Sequence, residues 1–152
     1  MMEFPVPQSC MKLRIDSRLD QVFMVGHAIR GICSHLGLDK VVVYKLELAV
    51  VEAVNNAIKH AYESRPGYPV EITVGLSREC LRFEICDEGN TLNFQRGACL
   101  DYDPRDRKTL PERGMGLTIM EEIMDEISYG RREGRNCLTL CKHLTRRRSL
   151  HE

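Results

Sequence analysis

The stretch that decides the fold of this chain runs from Glu52 to His60 and reads Glu-Ala-Val-Asn-Asn-Ala-Ile-Lys-His. Its composition predicts the middle of a helix, on which Glu52, Asn56 and His60 lie four residues apart on one face. A carboxylate, an amide and an imidazole on one stripe could together hold a metal-bound nucleotide. A solvated helix face carries the same residue types, and for this stripe taken alone the solvated face is the favoured interpretation.

Four alanines form a second stripe beside the polar one, at Ala49, Ala53, Ala57 and Ala61. Small side chains would let a flat apolar ring lie close to the helix backbone. They would equally let another element of the chain pack closely, which is the plainer interpretation. The alanines therefore indicate a close approach without identifying what approaches.

Length and composition indicate one globular domain, because 152 residues with 43% hydrophobic and 29% charged side chains suffice for a single core. Lys and Arg balance Asp and Glu at 22 each, so charge does not favour nucleic acid or an anionic membrane as a partner. No apolar stretch approaches the roughly 20 residues of a membrane span, and no signal peptide is visible. We expect a cytoplasmic protein with an N-terminal extension (1–10), one domain (11–143) and a disordered basic tail (144–152).

The seven cysteines do not suggest a disulfide framework or a zinc ribbon, because their number is odd and no Cys-x-x-Cys pair occurs. Several lie in apolar runs, where a reduced Cys behaves as a small hydrophobic residue. The expectation is therefore a set of reduced thiols, as in a cytoplasmic protein.

Periodicity and turn residues predict the element order β-α-α-β-β-loop-α-β-β. The elements are a strand at 10–15, helices at 18–36 and 40–62, strands at 70–76 and 81–86, a helix at 116–126, and strands at 126–129 and 136–142. The aperiodic segment 87–113 is longer than ordinary loops, and such segments are usually functional lids or disordered. The expected fold class is α/β (α+β), a two-layer sandwich whose mixed, mostly antiparallel sheet has helices on one face and a partner-binding surface on the other.

A second group of candidate residues follows the third predicted strand, where the chain reads Asp87-Glu88-Gly89-Asn90. A carboxylate there could accept a hydrogen bond from an exocyclic amine such as that of adenine, and Gly89 would let backbone approach the base. The same residue types are favoured in ordinary turns, which is the better interpretation of this segment alone.

A third group opens the last predicted helix, where the chain reads Arg113-Gly114-Met115-Gly116-Leu117. Backbone N–H groups at a helix N-terminus and an arginine together make an anion site. The segment lacks the Lys and Ser/Thr of a Walker A motif. On this element alone, a flexible end before a helix is equally favoured.

The order of the three groups makes the site more specific than any one of them. A helical stripe, a strand-end Asp-x-Gly, a long loop and a Gly-x-Gly helix start would give a metal ligand, a base-recognising acid, a mobile lid and a phosphate cradle. Chance agreement of all four parts is much less probable than chance agreement of one.

These segments resemble the ATPase superfamily of gyrase, heat-shock chaperones and sensor histidine kinases. The chain is more closely similar to the small bacterial anti-sigma factors that are serine/threonine protein kinases. The resemblance extends over residues 11–143 and rests on Glu52–Ala61, on Asp87–Gly89, and on Arg113 to Glu126, which continues past the glycines into a helix ending Met-Asp-Glu. No transmembrane, sensor or phospho-accepting helical segment is visible, which favours the anti-sigma branch.

The resemblance implies a Bergerat-type ATP-binding fold with ATP and Mg²⁺ as cofactors. It implies that Asn56 binds magnesium, that Glu52 is the general base, and that Asp87 and Gly89 form the adenine pocket. Phosphate binding would fall to the third group of residues: Arg113, Gly114, Met115, Gly116 and Leu117. The lid would span about 95–113. The implied partners are a sigma factor and an anti-sigma factor antagonist whose serine or threonine is phosphorylated, and the family commonly forms homodimers.

Two departures from the family pattern concern the base pocket. Asn90-Thr91 follows Gly89 where many superfamily members continue Asp-x-Gly-x-Gly. A Thr near the start of the last strand often holds the adenine-contacting Asp, but here Asn136-Cys137 fills that stretch. Because Cys is a weak hydrogen-bonding group, the expected support of Asp87 is weak.

Three functions remain open on these grounds. The first is an anti-sigma factor that phosphorylates its antagonist. The second is a nucleotide-binding regulatory module that sequesters a partner without phosphoryl transfer, and the third is the ATPase component of a histidine-kinase-like system.

Overall fold

The computed structural model describes residues 9–92 and 112–144, with residues 112–115 described by their backbone alone. The elements are β1 (Ser9–Asp16), a 3₁₀ turn (Leu19–Gln21), α1 (Val22–His35), α2 (Lys40–Asn56), a π-helical turn (Ala57–Ala61), β2 (Pro69–Leu76), β3 (Cys80–Asp87), α3 (Glu112–Ile123), β4 (Glu126–Arg132) and β5 (Arg135–His143). The predicted element order is confirmed. Most of the predicted extension, most of the lid and the basic tail lie outside the described residues.

The five strands form one sheet in the order β1-β2-β3-β5-β4. Each of its pairings is antiparallel. The expected two-layer α/β class and the mostly antiparallel sheet are confirmed, and among the described strands no parallel pair occurs. Strands β3 and β5 are central, so the chain segments that end β3 and begin β5 lie side by side.

The helices cover one face of this sheet. Alternate residues of the central strands, such as Phe83 and Leu140, are fully buried together with Leu46 and Val54 of α2 and Ile29 of α1. Burial of this one face against the amphipathic helices is the main source of stability for such a layer. No helix in the described part of the chain is long and apolar enough to cross a membrane.

The opposite face, called the open face here, carries the other alternation of side chains. Charged pairs lie on it, with Arg132 of β4 bound to Glu84 of β3 at 2.9 Å and Arg135 of β5 bound to Glu71 of β2. Small side chains lie between these long ones, including cysteines of β3 and β5 that are less than a tenth exposed.

The second helix ends earlier than the predicted 40–62. It loses α geometry after Asn56 and continues as the π-helical turn Ala57–Ala61. Beyond this turn, the Tyr62 hydroxyl donates to the Pro69 carbonyl at 2.6 Å and accepts from the Glu88 amide at 2.7 Å. Because Tyr62 ties the helix end to the entry of β2 and the exit of β3, the last turn is shaped by tertiary contacts that periodicity does not reveal.

The third helix is displaced toward the N-terminus relative to the predicted 116–126. It begins at Glu112 and ends at Ile123, whose carbonyl accepts from the Lys142 amine at 2.9 Å. A lysine that caps a C-terminal carbonyl stabilises a helix end. The next amides join the sheet, since Asp125 N donates to Cys141 O at 3.0 Å.

The expectation that all cysteines are reduced is wrong for one pair. Cys86 and Cys137 form a disulfide between β3 and β5, with their Cα atoms 4.3 Å apart. They are directly opposed in the antiparallel register, which the sequence could not reveal. The other cysteines in the described part of the chain are free thiols, as expected, and Cys33 is one that is buried. Burial and then the nearby Glu47 raise its pKa to about 11, so it stays a neutral apolar group.

Candidate nucleotide-binding site

Helix α2 places Glu52 and Asn56 against α3. A Cβ added to Gly116 would lie 3.2 Å from both Glu52 Oε2 and Asn56 Nδ2, and 3.5 Å from Asn56 Oδ1. The two 3.2 Å distances are tighter than most Cβ contacts, so a side chain here would make Glu52 or Asn56 shift by a few tenths of an ångström. The structure therefore brings together the first and third groups of candidate residues. Gly116 itself is buried.

Arg113, Gly114 and Met115 lie in the first turn of α3, since that helix begins at Glu112. The first four N–H groups of a helix have no partner within it. The start of α3, one turn before Gly116, thus carries backbone donors and the partial positive charge of the helix dipole. The predicted helix start at Gly116 is wrong, and the Gly116 and Leu117 amides are bonded inside the helix. Leu117 is half-buried in the same helix.

Asp87 is the buried carboxylate of the site, with 5% of its surface exposed. Its Oδ1 accepts two hydrogen bonds, from the Gly89 amide and from Asn136 Nδ2, each 2.9 Å long. Burial raises the pKa of Asp87, and these two hydrogen bonds oppose the rise. These two hydrogen bonds fix the orientation of the Asp87 carboxylate at the end of β3.

Asn136 was not among the predicted site residues, and the predicted weakness of Asp87 support is wrong. The Asn136 Nδ2 also donates to the Gly89 carbonyl at 2.9 Å, and the Asn136 Oδ1 accepts from the Thr91 hydroxyl at 2.9 Å. Asn136 is directly opposed to Asp87 in the β3–β5 register. An amide that bridges three groups replaces the expected threonine, and only the register could have identified it.

Gly89 contacts the end of the same helical segment that carries Asn56. A Cβ on Gly89 would fall 2.4 Å from the Ala61 carbonyl oxygen, and the Asn90 amide donates to that oxygen at 2.9 Å. The last alanine of the stripe thus serves close packing within the chain. All four alanines of the stripe are buried, which agrees with the plainer interpretation at the sequence level.

Two tyrosines support the chain after β3 and were not predicted. Tyr62 accepts from the Glu88 amide, and the Tyr129 hydroxyl accepts from the Leu92 amide at 2.9 Å. Burial is the main cause that raises the pKa of both phenols, which stay neutral. The backbone that follows Asp87 is therefore fixed from α2 on one side and from β4 on the other.

The two halves of the site share one wall. Asn56 ends α2 and Ala61 ends the π-helical turn, five residues later, which corresponds to about 7 Å along a helix. Helix α3 lies beside Asn56, and the Asp87–Asn136 pair lies beside Ala61. His60 lies half-buried within the π turn. No role in the site is assigned to it beyond its position in the stripe.

Comparison with known proteins identifies the class to which this architecture belongs. Residues 15–142 match the family described as "Histidine kinase-like ATPase domain". The chain belongs to this family, and the resemblance inferred from its motifs is confirmed.

Among curated proteins, the chain is similar to the serine-protein kinase RsbW of Bacillus subtilis, with 28% identity over 145 residues, 93% of this chain and 90% of that protein. The protein of the same name from Bacillus velezensis is 29% identical over 127 residues, 82% of this chain and 79% of that protein. A crystal structure of the RsbU and RsbW domains of a Mycobacterium tuberculosis protein superposes with a TM-score of 0.61 at 17% identity. It covers 90% of this chain and 32% of that one, and supports the fold.

Proposed function

We propose that this chain is an ATP-dependent serine/threonine protein kinase that also acts as an anti-sigma factor. The observation that carries the proposal is the contact of Gly116 with Glu52 and Asn56, because it brings a carboxylate and an amide oxygen against α3, one turn from the start of that helix. Relatives named serine-protein kinase align with nearly the whole chain. A phosphoryl-transfer site needs these parts, since positioning and charge neutralisation account for most of its catalysis.

Adenine recognition is assigned to the Asp87 end of the site. Two hydrogen bonds to Oδ1 hold the carboxylate, and its second oxygen is the acceptor for the exocyclic amine. Gly89 provides a surface without a side chain beside the base. The Asn136 amide, which donates to Asp87 and to the Gly89 carbonyl, holds these two residues in position relative to each other.

The donor set at the other end fits Mg²⁺. Asn56 Oδ1 and Glu52 Oε2 lie side by side against Gly116, and Mg²⁺ prefers oxygen ligands of this kind. Asn56 would hold the ion, which neutralises phosphate charge when it is bound. Glu52 would accept the proton of the attacking hydroxyl. Arg113 and the amides at the start of α3, such as that of Gly114, would bind phosphate oxygens. Met115, Gly116 and Leu117 would continue the same wall of the site, with the Gly116 and Leu117 amides bonded inside the helix.

The protein substrate is assigned as an anti-sigma factor antagonist with a reactive serine or threonine. Unphosphorylated antagonist would compete with a sigma factor for this chain, and phosphorylation would reverse that competition. We assign the active form as a cytoplasmic homodimer that regulates transcription through protein contacts, without direct binding of nucleic acid or membrane.

Glu52→Gln tests the kinase assignment. The amide keeps the shape of the side chain but cannot accept a proton, so transfer from Mg-ATP to the antagonist should fall by about 10²-fold or more. The affinity for ATP should remain within about twofold, since Glu52 is not assigned to nucleotide binding. The measurements are phosphosite mapping by mass spectrometry, the initial rate of transfer and calorimetric binding of ATP.

Glu122→Gln is the matched control, because Glu122 is an exposed carboxylate on the neighbouring helix. Transfer that is equal in the wild type and in Glu52→Gln would refute the general-base role. An antagonist that binds the wild type without acquiring phosphoserine or phosphothreonine would favour the regulatory module. Acid-labile phosphohistidine would favour the histidine-kinase-like reading.

A further inference from the structure

Four side chains with metal-binding atoms gather on the open face, at the end of the central strands far from Asp87. They are Cys80 of β3, Glu126 of β4, and Cys141 and His143 of β5. The register opposes Cys80 to His143 and Glu126 to Cys141, so all four project from the same face. The proposed kinase site includes none of these four residues.

Three of the donor atoms lie close to one another, and the fourth, Cys80 Sγ, lies next to the Cys141 sulfur. One ligand atom from each of Glu126, Cys141 and His143 lies within 4.8 Å of the other two. His143 Nε2 is 3.7 Å from Glu126 Oε2, and the sulfurs of Cys80 and Cys141 are 2.8 Å apart. Around a tetrahedral zinc, with Zn–S of about 2.3 Å and Zn–N or Zn–O of about 2.0–2.2 Å, donors lie roughly 3.3–3.8 Å apart. Glu126, Cys141 and His143 are therefore close to the spacing of a zinc shell, and a rotation of the Cys80 side chain away from Cys141 toward them would supply the fourth donor.

We infer that Cys80, Glu126, Cys141 and His143 form a zinc-binding site that clips β3, β5 and β4 together. Two thiolates, an imidazole and a carboxylate in a four-ligand set favour Zn²⁺ over Mg²⁺ or Ca²⁺, which prefer oxygen-only shells. Each thiol releases its proton to solvent as its sulfur binds. A closed four-ligand shell of this kind is typical of structural rather than catalytic zinc.

Burial and access both suit this site. Cys80 and Cys141 are 6% and 1% exposed, whereas the side chains of His143 and Glu126 are 59% and 31% exposed. The sulfurs thus form the floor and the other two donors the solvent-facing rim through which an ion can enter.

The backbone around the donors is already fixed. The His143 amide donates to Asp125 Oδ2 at 2.7 Å, and the Cys80 amide donates to the Ser77 hydroxyl at 3.1 Å. Backbone bonds of this kind orient ligands and reduce the ordering that binding requires. Strand β3 places Cys80 seven residues from Asp87, about 23 Å along an extended strand, so this site is separate from the proposed nucleotide site.

The other sulfur pair on the same strands provides a contrast. Cys86 and Cys137 are bonded to each other, and the nearby Glu84 is paired with Arg132. The two cysteines at that end are not available as thiolates. Cys80 and Cys141 are free thiols, so the zinc assignment belongs to their end of the strand pair.

Cobalt titration of the full chain under anaerobic conditions, with the Cys86–Cys137 disulfide kept intact, tests the inference. The wild type should bind one equivalent of Co²⁺ with thiolate-to-cobalt charge-transfer and tetrahedral d–d absorption, and Zn²⁺ should displace the colour. Cys80→Ser with Cys141→Ser should abolish the charge-transfer band. His143→Ala, at an exposed position that folding does not depend on, should lower Zn²⁺ affinity at least about tenfold, the lower bound for weaker outer-shell contacts.

Two control variants match these changes. Cys86→Ser with Cys137→Ser removes two cysteines from the same strands and should leave the cobalt spectrum intact. His35→Ala removes an exposed histidine from α1 and should leave Zn²⁺ affinity unchanged. A wild type without charge-transfer absorption would overturn the site, as would a spectrum that survives loss of Cys80 and Cys141 or an affinity that His143→Ala does not change.

Discussion

A single buried carboxylate connects the chemistry of this site to its stability. Asp87 is held through Oδ1 by Asn136 and by the Gly89 amide. Burial is the largest influence on its pKa and raises it. The ionised side chain is therefore less favourable in the folded protein than in the unfolded chain, and the fold retains it at a cost in stability.

Asp87→Asn should separate these two consequences. Asn Oδ1 can accept both existing hydrogen bonds, but its amide nitrogen would face the adenine amine, so ATP affinity should fall about 10–100-fold. The folded pKa of Asp87 lies above the unfolded value of 3.8, so wild-type stability decreases as the pH rises from 3.8 through the folded pKa. The Tm of Asp87→Asn relative to the wild type should therefore increase over that interval and then level off.

Circular dichroism melts between about pH 4 and pH 7, with calorimetric ATP titration, measure both effects. A Tm difference that shrinks as the pH rises would contradict the raised pKa. Unchanged ATP affinity would remove Asp87 from the adenine site.

Asn136 should prove the main support of that carboxylate. Asn136→Ala removes one of the two donors to the buried Asp87 carboxylate and the Asn136 donor to the Gly89 carbonyl, so it should cost about 2–3 kcal/mol in the free energy of unfolding. Asn136→Thr should recover part of the loss, because a hydroxyl can donate to Asp87 but cannot also reach Gly89. Urea unfolding measures the ranking, and equal stabilities for the two variants would contradict the bridging role.

At the scale of elements, the contact between α2 and α3 depends on one position without a side chain. The space beside Gly116 is occupied by the Glu52 carboxylate and the Asn56 amide. Any side chain there must displace the two groups to which the proposed chemistry is assigned. The precision of the site is therefore set by helix packing as well as by the polar residues.

Gly116→Ala tests this dependence, with Gly31→Ala in α1 as the matched control. Replacement of glycine by alanine inside a helix contributes about 1 kcal/mol of stability when nothing obstructs it. A Cβ on Gly31 meets nothing within 4 Å, so that variant should gain stability and keep its activity. Gly116→Ala should gain less and lose at least about tenfold in phosphoryl transfer, because small misplacements are costly.

Urea unfolding and the initial rate of transfer, measured for both variants, decide the comparison. Equal stability gains and unchanged rates in both would show that α3 does not constrain Glu52 and Asn56.

The elements also show where sequence reasoning succeeds and where it stops. Periodicity identified the helices and strands because one buried face imposes it, and the chain order of the candidate groups identified the family. The partner of Asp87 and the Cys86–Cys137 bond depend on strand register, which Asn136 and Cys137 do not encode locally. The end of α2 depends on Tyr62, whose hydroxyl contacts lie outside the helix.

For the whole molecule, nucleotide binding should stabilise the complete fold. The proposed pocket is made from α2, α3 and the two central strands, so bound ligand favours the folded state by mass action. Free Mg-ATP at about 100 times its Kd contributes about 2.7 kcal/mol, which corresponds to roughly 5–11 °C in Tm for a chain of this size.

Differential scanning fluorimetry with and without Mg-ATP measures the shift. At the same ATP concentration, Asp87→Asn with tenfold weaker binding should gain only about 1.4 kcal/mol. Wild-type protein whose Tm does not respond to saturating Mg-ATP would contradict the pocket as a whole.

The order of the strands gives the two ends of the pocket different dynamics. Asp87 and Asn136 lie on β3 and β5, each paired with a strand on both sides, whereas α3 lies outside the sheet and packs on α2. Amides of central strands exchange with solvent hydrogen mainly through global unfolding, while peripheral helices exchange through local opening. The proposed adenine end is therefore as durable as the fold itself. The proposed phosphate end can open and close on α2 while the rest of the molecule stays folded.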